Sequence, residues 1–163
     1  MFIKNARRAA VALALVAVAA ASAQAQTANQ TVTFQVNAIN QISFAGAPSL
    51  TITTAIAGNA PTSVTDNTAT WAVTTNQTGA KISASIPANM PAGLTLSSSL
   101  VAPAGATSAG FQALSTVSVD LVTTITKLAT PGLGVTYKLD ATPAAGVVAS
   151  STRVVTYTIS GGT

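Results

Sequence analysis

Residues 31–38 read TVTFQVNA, and their alternation decides how the rest of the chain is read. Val32, Phe34, Val36 and Ala38 fall on one side, Thr31, Thr33, Gln35 and Asn37 on the other. Successive side chains of a strand point to opposite faces, so this two-residue period predicts a β-strand with one apolar face. The same period returns along the chain, and it sets the fold class.

Upstream lies a leader. Lys4, Arg7 and Arg8 precede an apolar run over residues 9–21, followed by the small-residue pairs Ala21-Ser22-Ala23 and Ala23-Gln24-Ala25. A basic start, a short apolar stretch and an A-x-A site make a secretory signal peptide, expected over residues 1–25. The run is too short and too rich in alanine for a span, which needs about 20 apolar residues, so no membrane span is expected in the mature chain. Residues 26–163 are then one exported domain, secreted to the extracellular space or cell surface, or held in the periplasm. The leader's style is bacterial.

Downstream, residues 39–44 form a second apolar segment, and residues 49–54 (SLTITT) a third. Residues 55–67, with Gly58, Asn59, Pro61, Asp66 and Asn67, read as a long connection. Residues 68–75 (TATWAVTT) place Ala69, Trp71 and Val73 together. The turn Asn76-Gln77-Thr78-Gly79 leads to residues 81–86, where Ile82, Ala84 and Ile86 share a face, and the pair predicts a hairpin. Residues 94–101 keep the period, and residues 102–110 are a Pro/Gly/Ala/Ser loop. Within residues 111–128, Val117, Val119, Leu121, Thr123 and Ile125 alternate, and β-branched residues crowd positions 122–126, which favours one bent strand or two short ones over a helix. Pro131, Gly132 and Gly134 predict a turn into residues 135–141, and residues 152–160 close the chain with Val155, Tyr157 and Ile159 inward. Eight to ten short strands without an amphipathic helical window predict an all-β fold, an antiparallel two-sheet β-sandwich of immunoglobulin-like or jelly-roll-like form.

Charge and composition narrow the chemistry. Three of the seven basic residues lie in the leader, so Lys81, Lys127, Lys138 and Arg153 face three aspartates and the mature chain carries a net charge of only +1. That leaves no electrostatic footprint for nucleic acid. Charged residues make up 6% of the sequence, too few for mutual repulsion to keep copies apart. There is no cysteine, so the core must hold without disulfides.

The mature chain also lacks His and Glu, which removes most general bases and the usual zinc and copper ligands. Asp66, Asp120 and Asp140 stand in no hydrolase signature, so no catalytic residue and no cofactor is expected. Asp66 with Asn67 is the one place to look for calcium, but a turn held by side-chain hydrogen bonds accounts for it, so no metal site is expected. Trp71 has two readings, a core tryptophan or a platform on which a sugar ring stacks.

The apolar positions Val32, Phe34 and Val36, followed by a charge-poor, Thr-rich sandwich, resemble the secreted all-β subunits of pilin-like filaments that polymerise by donor-strand exchange. The resemblance implies a non-enzymatic structural protein whose partner is itself. Residues 31–38, through Val32, Phe34, Val36 and Ala38, would be the assembly strand of an extracellular filament or surface layer. Unlike many such subunits, this chain has no disulfide. A second reading is an adhesin-like module that binds carbohydrate or another protein through residues 55–67 and 102–110.

Overall fold

A computed structural model describes residues 25–163. The expected signal peptide lies outside them apart from Ala25. The chain divides into two compact units, residues 1–35 and 36–163.

In the first unit, residues 25–35 contain no strand, and Val32 and Phe34 are 71% and 89% exposed. The expected strand over residues 31–38 therefore does not form. In the second unit Val36 is also exposed and the first ladder begins at Asn40. Alternation prescribes which side chains would share a face; a strand forms only where a partner supplies main-chain hydrogen bonds.

The second unit is a two-sheet antiparallel β-sandwich of nine strands among the described residues. They are β1 (Asn40–Ala45), β2 (Val64–Thr75), β3 (Ala80–Ser85), β4 (Leu94–Leu100), β5 (Thr107–Ser108), β6 (Gln112–Ala113), β7 (Val119–Ile125), β8 (Leu128–Ala141) and β9 (Thr156–Ser160), with a single 3₁₀ turn at Pro143–Ala145. The larger sheet has the order β1-β2-β8-β4-β6 and the smaller β5-β7-β3-β9. No helix among the described residues is long and apolar enough to cross a membrane.

The inward faces follow from the alternation. β2 buries Ala69, Trp71 and Val73; β3 buries Ala80, Ile82 and Ala84; β7 contributes Leu121, Val122 and Ile125; Leu96, Leu100 and Val135 close the core. Consecutive Leu121 and Val122 are both buried because the ladder between β3 and β7 shifts register near Ile82, and a bulge turns two neighbouring side chains inward.

Two turn readings and two strand readings are corrected. Residues 76–79 do turn, but β2 and β3 do not pair: β2 lies between β1 and β8, and β3 between β7 and β9. The turn is a corner between sheets, held by the Gly79 amide donating to Thr126 Oγ1 at 3.1 Å and the Gln77 amide donating to Thr75 Oγ1 at 3.0 Å. Pro131, Gly132 and Gly134 do not end a strand; β8 runs through them, and the register against β2 shifts there instead. Proline lacks a donor, and a bulge is where a ladder tolerates that. Residues 49–54 form no strand, and of residues 152–160 only the last five pair. Their neighbour β3 ends at Ser85, the partner of Thr156, before Pro87 turns the chain away. The second corner, from β7 to β8, holds Thr124 at φ 59° and Lys127 at φ 42°. Positive φ strains a β-branched residue, so tertiary packing imposes this corner on the local sequence.

Candidate functional site

The two sheets differ in reach. Where β3 and β7 stop, the inner face of the larger sheet continues through Leu94 and Leu96 of β4 and Tyr137 and Leu139 of β8. These residues floor an open groove of about 1210 Å³. One wall is the segment 48–55, the other the segment 148–155 that leads into β9, and no residue of β3, β5 or β7 lines it. At the groove the smaller sheet is represented by Tyr157 of β9, and the two segments border the rest.

Each wall is fastened at one end. Asp66 bridges the bulge in β2: its carboxylate accepts from the Ser49 amide at 2.8 Å, the Thr68 amide at 2.8 Å and the Thr68 hydroxyl at 2.6 Å. The side chain therefore clips the first wall to β2 of the larger sheet. At the far end the chain passes close to Gly93, whose φ of +81° and whose separation of 2.5 Å between an ideal Cβ and the Ala145 nitrogen admit only glycine. The Thr142 amide donates to the Gly93 carbonyl at 2.8 Å and fixes the 3₁₀ turn from which the second wall departs.

An aromatic cluster backs the floor. Phe44 of β1 stacks on Tyr157 of β9 with centroids 3.9 Å apart and lies 6.1 Å from Trp71. The Tyr157 hydroxyl donates to the Tyr137 hydroxyl at 2.8 Å and shares a 3.0 Å hydrogen bond with Ser98, which is fully buried. Burial pushes both phenols above their ordinary value, so they stay protonated and act as hydroxyl partners. Trp71 is 1% exposed, and its Nε1–H donates to the Val101 carbonyl at 3.2 Å. In that place it offers no ring face on which a sugar could stack, and it belongs to the core.

Four charged residues form two ion pairs among the described residues. Lys81 pairs with Asp120 across β3 and β7 at 3.0 Å, and Lys138 with Asp140 along β8 at 3.0 Å, where Asp140 also accepts from the Ser63 hydroxyl. The Ser63 hydrogen bond, opposed in part by desolvation, holds the Asp140 carboxyl below the usual range. No group of three or more His, Cys, Asp or Glu comes together among the described residues.

The hydrogen bonds from the Thr68 hydroxyl, then from the Ser49 and Thr68 amides, hold the Asp66 carboxyl below the usual carboxylate range. A lowered folded-state pKa stabilises the fold above the unfolded value, about 3.9, and that contribution is lost as pH falls through the folded value. Asp66→Asn is therefore expected to lower the urea midpoint at pH 6 while flattening its decline between pH 5 and pH 2; an unchanged acid slope would refute the clip.

Sequence reading named Val32, Phe34, Val36 and Ala38, all exposed here, and read Asp66 as a turn held by side-chain hydrogen bonds, but it named neither the groove, nor the bond from Asp66 to Ser49, nor Arg153, which lines the second wall. A signal for Arg153 exists. It shares its odd-numbered phase with Val155, Tyr157 and Ile159, all half-buried, whereas Thr152, Val154, Thr156 and Thr158 are exposed. Comparison with known protein families, with curated proteins and with solved structures found no match.

Proposed function

We propose that this chain is a non-enzymatic structural subunit that self-assembles into an extracellular filament or surface layer, each copy lending residues 31–38 to the groove of the next. The observation that carries the reading is the groove itself, an open space of about 1210 Å³ floored by Leu94, Leu96, Tyr137 and Leu139 and bordered by the segments 48–55 and 148–155. The chain carries a segment of matching chemistry: Val32, Phe34 and Val36 alternate and are 71%, 89% and 76% exposed.

Moving each of these side chains from exposure into a packed groove contributes about 1.5–3 kcal/mol. Ordering eight residues costs roughly 1–2 kcal/mol each, so those three side chains do not suffice alone. Main-chain hydrogen bonds to a bordering segment, about 0.5–1.5 kcal/mol each, and burial of the floor residues supply the difference. Strand addition at a sheet edge joins both contributions in one event. A surface with few charges opposes this association little.

Electron microscopy and size analysis of the exported protein test the reading. Filaments, sheets or stable oligomers are expected. A protein that stays monomeric at every concentration would overturn it, and retention of a glycan or a foreign protein by that monomer would assign the groove to a binding module.

A further inference from the structure

We infer that Gln30 of one copy is hydrogen-bonded by Arg153 of the next, so that this pair sets the register of the inserted strand; the inference rests on the assembly reading above. Among the described residues, Arg153 is the sole charged side chain lining the groove, and it occupies an inward-phase position of the second wall. Its Nε–H is buried without a hydrogen-bond partner, while Nη1 donates to the carbonyl of its own neighbour, Thr152, at 3.0 Å. A guanidinium carries five donors, and most of this fork is unused.

None of the three aspartates of the chain answers it. Asp120 is bonded by Lys81, Asp140 by Lys138 and Ser63, and Asp66 by Ser49 and Thr68. Covering the half-buried guanidinium without giving its unpaired donors an acceptor is unfavourable, so an occupant that fills the groove must bring an acceptor to this point.

Residues 26–38 contain no carboxylate, and the face that carries the apolar run reads Ala28, Gln30, Val32, Phe34, Val36, Ala38. Gln30 is its one polar member and stands at the end of the run, an exposed side chain in the free chain. Its amide oxygen is therefore the one side-chain acceptor that enters on the same face as Val32, Phe34 and Val36. A slip of two residues would place Ala28 or Val32 against Arg153 and leave the guanidinium unanswered. A slip of one would turn the whole apolar face away from the floor. The groove thus selects a strand of alternating Val and Phe that is preceded, in phase, by an acceptor.

The test uses the full exported chain and follows polymer formation and dissociation by light scattering, with circular dichroism and Trp71 fluorescence as checks on folding. Arg153→Met and Gln30→Lys are each expected to speed dissociation by on the order of tenfold, the first by loss of a charge-assisted hydrogen bond and the second by placing two cations together. Arg153→Glu combined with Gln30→Lys in one chain should restore dissociation toward the wild-type rate, because the exchanged charges attract. If the folded single variants match wild type, or the double variant is no better than Gln30→Lys alone, the pairing is wrong while assembly stands. A wild-type chain that does not polymerise overturns the assembly reading and this pairing with it.

Discussion

Removal of residues 26–36 is expected to leave a folded monomer that no longer assembles. The first ladder begins at Asn40, whose strand pairs in full with β2, and the core draws none of its buried residues from the deleted segment. The truncation also spares the local tether. The Asn76 side chain accepts from the Ile39 amide at 2.8 Å and donates to the Asn37 carbonyl at 2.7 Å, and the Asn76 amide donates to the Ile39 carbonyl at 3.2 Å. What is lost is Val32, Phe34 and Val36, the apolar face that the assembly reading places in a neighbouring groove.

The melting temperature of the truncated chain should equal that of unassembled full-length protein. Adding a synthetic peptide of residues 26–38 should raise it. A ligand present at one hundred times its dissociation constant adds about 2.7 kcal/mol, or roughly 10 °C for a domain of this size. A truncated chain that still polymerises, or one that cannot fold, would show that residues 26–36 are not a donated strand.

The largest effect on folding is expected from Trp71→Ala, which should destabilise the domain by about 3–5 kcal/mol in urea unfolding. Trp71 is among the largest fully buried side chains, lies in the central part of the larger sheet between β1 and β8, and backs Phe44, which in turn stacks on Tyr157 at the groove. Its removal opens a cavity that the surrounding β-strands cannot close, because their spacing is set by main-chain hydrogen bonds. Trp71→Phe should be far milder, since it keeps most of the volume and loses chiefly the hydrogen bond to Val101. A small loss for Trp71→Ala would refute the packed core described for β2.

The fold class was legible because strand alternation is a local property. Ala69, Trp71 and Val73, and likewise Ile82, Ala84 and Ile86, could be assigned to one buried face from spacing alone, and they are buried. Which strands pair was not legible. Residues 76–79 carry the composition of a hairpin turn, yet β2 and β3 belong to different sheets, because sheet membership depends on contacts far away in sequence, β2 with β8 and β3 with β9. For the same reason Pro131 and Gly132 looked like a strand end and proved to be a bulge within β8.

The candidate site divides in the same way. By itself the sequence determined an all-β sandwich without cysteine and with few charged residues, and it marked residues 31–38 as a segment with an apolar face. Those properties follow from composition and from the two-residue period of the backbone. Only the tertiary structure decided that this segment forms no strand, that residues 48–55 and 148–155 border a groove, and that Arg153 lines it from the second of them with a buried Nε–H unpaired. A groove is the space left where one sheet outreaches the other, and that difference is set by long-range pairing, which no local pattern of residues encodes.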